Sequence, residues 1–238
     1  MASLREAMGA PQVADGQPSR RSMMDTAGRI LVVNPNSSLS CTAGIAAALA
    51  RFGTLARFEV VRLEEGPPAI ASWRDWHSVA EPLCRLVERE EAAAYVIACV
   101  SDPGLEAVRS ATRRPVLGMF RSAVAAAMVR AERFGVIGFV AASEARQRLA
   151  LRGMGVEERL AGWTPLDLPM EVLTDPEAPR ARIREAARAL ASAGAGAIVL
   201  GCTGMAGHVA AAEDAAGLPV IEPCAAAGAM ALLATAPG

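Results

Sequence analysis

Short apolar runs, each closed by turn residues, alternate along this chain with longer stretches of helix-forming composition. Arg29–Asn34 reads as a buried strand that Pro35 stops. Thr42–Phe52 reads as a helix on its alanine-rich composition, with Ser38 or Ser40 as cap. Arg57–Leu63 alternates as a strand, and Pro67-Pro68 opens a loop. Ile70–His77 holds Trp73, Trp76 and His77, and Ser78–Glu90 follows as a helix that carries Cys84 toward the core. The run from Tyr95 to Ala98 is strand-like, Leu105–Ala111 a helix, Pro115–Met119 a strand and Ala123–Arg133 a helix. The pattern then begins again with strand Phe134–Phe139 and helix Ser143–Arg152. A short strand at Leu166–Pro169, a loop at Asp175–Pro179, helix Arg180–Ala193 and strands Ala197–Leu200 and Leu218–Ile221 complete it. The last helix, Ala225–Ala234, is almost wholly apolar, so it should be buried, folded back on the first half. Strands alternating with helices in this way predict an α/β protein with parallel sheets.

The second half repeats the first. Cys99 follows an apolar run, and Pro115-Val116-Leu117-Gly118 stands 16 residues after it. Cys202 follows another, and Pro219-Val220-Ile221-Glu222 stands 17 residues after it. Asn34, at the end of the first strand, precedes Cys99 by 65 residues, and Gly138 precedes Cys202 by 64. Three features in one order at nearly one spacing indicate an internal duplication. The expectation is two pseudo-symmetric lobes, each a mostly parallel sheet with flanking helices, and an active site in the cleft between them. Lobe one would comprise residues 29–118 plus 222–238 and lobe two residues 119–221, with residues 1–28 a disordered leader. Ligands of open α/β sheets bind beyond the carboxyl ends of strands. Two facing lobes would therefore set Cys99 and Cys202 on opposite walls of one cleft. Taken singly, each cysteine reads first as a buried structural thiol, with a thiolate favoured by a helix N-terminus as the alternative.

Composition narrows the chemistry mainly by exclusion. The 238 residues are 53% hydrophobic but only 4% aromatic, so the core is built from Ala, Val, Leu and Ile. No apolar run reaches the roughly 20 residues of a membrane helix, and no signal-peptide h-region is evident. A net charge of −1 offers no footprint for nucleic acid or a membrane surface. Five cysteines, an odd number without any CxxC pair, fit reduced thiols in the cytoplasm. Lysine is absent altogether, which removes pyridoxal phosphate, Schiff-base aldolase and P-loop chemistry together. No cofactor and no metal is expected. The partner is a small-molecule substrate, and the apolar, alanine-rich helices are compatible with a homo-oligomer.

Other candidates gather near the strand ends. Asn34 and Asn36 are the only asparagines, in a polar loop with Ser37 and Ser38 that is either a seat for a carbonyl oxygen or a capped turn. Asp102, in Ser101-Asp102-Pro103-Gly104, either orients a thiol or substrate N–H or simply makes the turn. Arg121 would lie at the sheet edge of Cys99, as an anion ligand or a solvated side chain. His77 reads as a surface or loop residue. His208, six residues after Cys202, should face away from that thiol.

The segments VVNPNSS (Val32–Ser38), ACVSDPGLEAVR (Ala98–Arg109), PVLGM (Pro115–Met119), AIVLGCTGMAG (Ala197–Gly207) and PVIEP (Pro219–Pro223) together resemble the aspartate/glutamate/hydantoin racemase superfamily, most closely its hydantoin racemase branch. The resemblance implies a cofactor-independent racemase or epimerase that inverts a carbon α to a carbonyl, with Cys99 and Cys202 as the acid/base pair. It implies that Ser101, Thr203, Gly204 and the Asn34–Ser38 loop hold carbonyl oxygens as enolate charge develops. The chain departs from the pattern at Val100-Ser101, where Phe-Gly is usual, and at Gly138-Phe139, where two threonines are common. Arg121 replaces a frequent glutamate and Cys41 a frequent methionine. Phe139 would make the pocket more apolar. A maleate-type cis–trans isomerase with a cysteine nucleophile, and a non-catalytic ligand-binding protein of the same fold, are the alternatives.

Overall fold

The first strand, β1 (Arg29–Asn34), is buried from its second residue onward, as a central strand of a parallel sheet must be. A computed structural model of the chain describes residues 28–236; the expected leader, apart from Gly28, lies outside the described residues. β1 pairs in parallel with β2 (Arg57–Arg62) on one side and β3 (Ala94–Ile97) on the other, and β3 pairs with β4 (Val116–Gly118). The second sheet has the same plan. β5 (Phe134–Gly138) lies between β6 (Leu160–Pro165) and β7 (Ala197–Gly201), and β7 pairs with β8 (Val220–Ile221). The strand orders, β2-β1-β3-β4 and β6-β5-β7-β8, are one topology used twice.

The connecting helices are α1 (Leu39–Leu49), α2 (Trp73–Ser78), α3 (Ala80–Arg89), α4 (Leu105–Ala111), α5 (Met119–Arg130), α6 (Glu144–Met154), α7 (Met170–Leu173), α8 (Arg180–Ser192), α9 (Val209–Ala216) and α10 (Pro223–Thr235). Alternate strand residues feed different cores, since side chains on a strand point to opposite faces. Val32, Val96, Val136 and Val199 enter one cluster with Phe120 and Val124 of α5 and Ala227 of α10. That cluster joins the two sheets. Leu31, Val33 and Ile97 enter an outer cluster under α3 and α4, and Ile137, Ile198 and Leu200 another under α8. α10 packs on α5, α1 and β3, with the Phe52 ring and Leu49 against Gly228, where a Cβ would sit 2.6 Å from the ring. None of the described helices is long and apolar enough to cross a membrane.

Four elements differ from the sequence reading. The helix expected at Ser78–Glu90 is α3, starting at Ala80, and a further helix, α2, precedes it, because Ser72 and Asp75 form a reciprocal capping box that starts α2 at Trp73. β6 replaces the strand expected at Leu166–Pro169. Gly162 and Pro165 disguise it, yet β6 is an edge strand, where a terminal proline removes no needed ladder bond. α5 begins at Met119, directly after β4, rather than at Ala123. His208 closes a 3-10 turn (Thr203–His208) before α9; it is buried, with a ring nitrogen 3.3 Å from the Leu173 carbonyl. Cys84 packs on the outer cluster of lobe one but stays half-buried.

Candidate active site

In each sheet the strand order reverses between two neighbours, β1 and β3 in the first, β5 and β7 in the second. Such a switch point opens a crevice at the carboxyl ends of the strands. Here the two crevices meet in one cavity of about 50 Å³. Asn36 enters it after β1, Cys99 and Ser101 after β3, Phe139 and Ser143 after β5, and Cys202 and Thr203 after β7.

The backbone places each thiol by a different device. Ala98 N–H bonds the Val33 carbonyl, Cys99 N–H the Ile97 carbonyl and Asp102 N–H the Cys99 carbonyl, so the chain turns at once. Asp102 has φ of +49°, and Gly104 follows at +68°, a position where a Cβ would lie 2.9 Å from the Ala80 backbone. Cys202 is extended and caps the 3-10 turn, with Met205 N–H on its carbonyl. Gly201 before it admits no side chain, since a Cβ would lie 2.6 Å from the Ile137 carbonyl oxygen.

Of the residues read from sequence, Cys99, Cys202, Ser101, Phe139 and Thr203 line the cavity. Six others do not line it. Asn34 is wholly buried; its amide donates to Asn36 Oδ1 (2.9 Å) and Thr42 Oγ1 (3.0 Å), ordering the loop so that Asn36 faces the cavity. Ser38 Oγ caps α1 by accepting from Cys41 N–H, and Ser37 N–H bonds the Pro67 carbonyl. The Asp102 carboxylate accepts from Phe120 N–H (2.8 Å) and Arg121 N–H (3.0 Å), capping α5 from 18 residues away. This starts α5 early. The Arg121 guanidinium lies 3.5 Å from Asp102 and 3.0 Å from Glu106, outside the thiol cavity. Gly204 follows Thr203 in the 3-10 turn that Cys202 caps.

Of the lining residues, Ala69, Ile70, Ser143 and Gln147 were not placed at the site by sequence reasoning. Cys41 Sγ lies 3.3 Å from Thr203 Oγ1, a contact between the lobes. Ser143 was legible only as a helix cap. Gln147 had no local signal, because its partners lie 16 to 54 residues away. Among the described residues, none that lines the cavity carries a formal charge. Among the described residues no group of His, Cys, Asp and Glu is arranged to hold a metal ion.

Burial governs the titration of the thiols. It pushes Cys99 up to about 11, against the opposing pull of the Ser101 hydroxyl and N–H. It pushes Cys202 up to about 12, against the Gly204 N–H and the Thr203 hydroxyl. Both thiols are half-buried, and desolvation opposes the lowering anticipated from a helix N-terminus. Burial also raises the Asp102 carboxyl to about 6 despite its two N–H donors and Arg121.

The Asp/Glu/Hydantoin racemase family profile matches residues 30–231. The hydantoin racemase of Paenarthrobacter aurescens is 35% identical over 211 residues, covering 84% of this chain and 87% of that protein. The hydantoin racemase of Pseudomonas sp. (strain NS671) is 35% identical over 204 residues, covering 82% and 80%. The allantoin racemase from Klebsiella pneumoniae has the same fold, with a TM-score of 0.78 and 31% identity over 86% of each chain. Twin lobes, a shared cleft and these relatives define an isomerase. More particularly, the chain belongs to the Asp/Glu/hydantoin racemase family.

Proposed function

We propose that the protein racemises a neutral cyclic ureide or imide, a hydantoin or an allantoin-like compound, by two-thiol acid/base catalysis. The observation that carries this is the pair Cys99 and Cys202, at equivalent strand ends of duplicated lobes, lining one cavity. Inversion needs a base on one face of the chiral carbon and an acid on the other. One thiolate takes the α-proton, its electron pair passes to the carbonyl as an enolate, and the other thiol returns a proton from the opposite face. The two sulfurs thereby exchange protonation states, and substrate of the other hand resets them. Asn36, Ser101 and Thr203 are the polar groups at hand for the enolate oxygen. Residues 29–118 with 222–238 would form the half that brings Cys99, and residues 119–221 the half that brings Cys202.

The uncharged lining favours a neutral substrate over a dicarboxylate, since Arg121 is engaged with Asp102 and Glu106. It also disfavours the maleate-type alternative. A cavity of about 50 Å³ is a third of the ~150 Å³ that accommodates benzene in an engineered core. Substrate entry therefore requires its walls to part. The reaction needs no partner beyond the dissolved substrate, and we place it in the cytoplasm.

Solvent deuterium uptake tests the reading. Single-enantiomer 5-substituted hydantoins, allantoin, aspartate and glutamate are incubated with the protein in heavy water and examined by mass spectrometry and chiral separation. Deuterium at the α-carbon with inversion, lost in Cys99→Ala and in Cys202→Ala, is the expected result. Absence of exchange on the cyclic substrates, or full inversion by either variant, refutes the proposal.

A further inference from the structure

Gln147 is polar, essentially fully buried and bonded at both ends of its amide. Its Nε2 donates to the Val100 carbonyl at 2.6 Å and to the Gly201 carbonyl at 3.3 Å. Its Oε1 accepts from Trp163 Nε1 at 2.6 Å. The two carbonyls belong to the residue after Cys99 and the residue before Cys202, so one side chain on α6 ties both thiol-bearing loops together. Peptide geometry adds a consequence. In a trans peptide the C=O and the following N–H point in opposite directions. Holding the Val100 carbonyl therefore fixes the peptide plane that enters Ser101, whose hydroxyl lies 3.5 Å from the Cys99 sulfur. The Gly201 carbonyl, in the peptide that enters Cys202, is held more loosely, at 3.3 Å.

Trp163 can brace this amide only because β5 ends in Gly138. A Cβ at Gly138 would fall inside the Trp163 ring. The indole lies across that glycine from β6 and reaches Gln147. One of the chain's departures from its resembling family thus creates the space for the brace.

We propose that Gln147, held by Trp163, is a positioning residue that fixes Ser101 against the Cys99 sulfur and sets the Cys99 loop against the Cys202 loop. The inference rests on the two-thiol reading for its catalytic meaning, but its geometry can be tested without turnover. The orienting effect is stronger at Cys99, whose loop is held at 2.6 Å, than at Cys202, whose loop is held at 3.3 Å, so Cys202 is the internal comparison.

The experiment is the pH dependence of iodoacetamide alkylation at Cys99 and at Cys202, followed by peptide mass spectrometry in the wild type, Gln147→Met and Trp163→Phe. Circular dichroism verifies the fold of each. Methionine keeps the volume and loses both donors. A donor to a charged sulfur is misaligned, so Cys99 alkylation at pH 8 to 9 should slow about tenfold in Gln147→Met, with Cys202 within about twofold of wild type. Trp163→Phe keeps a ring on Gly138 but loses the N–H, and should slow Cys99 by a smaller factor; it carries the test if Gln147→Met does not fold. With a hydantoin substrate, kcat should fall while KM changes little. Cys99 curves that overlay the wild type, or equal slowing of both thiols, overturn the proposal. One-sided slowing in a protein that exchanges no α-proton leaves the positioning role standing and removes the racemase reading instead.

Discussion

Asp102→Ala removes the carboxylate that joins the turn after Cys99 to the start of α5. The Phe120 and Arg121 N–H groups, now 2.8 and 3.0 Å from its two oxygens, lose their acceptor. Phe120 is fully buried, so no water replaces the lost partner. Hydrogen bonds to a charged group are worth about 1.5–3 kcal/mol each, and the buried carboxylate's own desolvation offsets part of that, leaving a loss of about 3 kcal/mol. Asp102 also sits at φ of +49°, where alanine adds about 1 kcal/mol of strain that glycine does not. The expected order of destabilisation in urea unfolding at pH 7 is Ala, about 4 kcal/mol, then Gly, about 3, then Asn, about 1, since asparagine keeps one acceptor and tolerates the conformation. The pH dependence carries a sign. Burial raises the Asp102 carboxyl from 3.8 to about 6, so the folded protein holds that proton more tightly than the unfolded chain. This contribution is complete below 3.8 and is lost as pH rises through 6. The gap between wild type and Asp102→Ala should therefore widen by about 1 kcal/mol from pH 7 to pH 5. A gap that narrows on acidification, or Ala and Asn variants of equal stability, would refute this account of the turn.

Gly138→Thr, which restores a residue common in the resembling branch, drives a side chain into the Trp163 ring and should lower stability by about 3 kcal/mol in thermal melts. Its Cys99 alkylation should slow as in Gln147→Met. Glu222→Ala removes the cap that accepts from Cys224 N–H (2.8 Å) and Ala225 N–H (2.7 Å); about 1 kcal/mol of stability should be lost. If a thiolate is the base and Cys99 titrates at about 11, kcat/KM corrected for hydroxide catalysis should rise about tenfold per pH unit from 7 to 9. A profile flat over that range would mean that a group other than a buried thiol limits the reaction.

Much of this protein could be read before it was folded, because its central strands are buried on both faces. Runs such as Ile30–Val33 and Ala197–Leu200 have to be apolar throughout, and the turns after them carry their own residue chemistry. The duplication was legible for the same reason: Cys99 and Cys202 stand at matched distances from matched strand ends, and parallel-sheet topology brings such ends to one edge. The edge strand β6 was hidden, since a strand paired on one side admits Gly162 and Pro165. The division between scaffold and cavity belongs to tertiary structure. Nothing local distinguishes Asn34, which orders the loop, from Asn36, which faces the cavity. Asp102 and Arg121 stood in suggestive places, but an N-terminus 18 residues away claimed the carboxylate, and the carboxylate claimed the guanidinium. Gln147 left no trace in sequence because its carbonyl and indole partners come from three separate segments. The titration of the thiols was decided there too, since desolvation depends on what the rest of the chain packs around a sulfur and outweighs the local dipole that the sequence suggested.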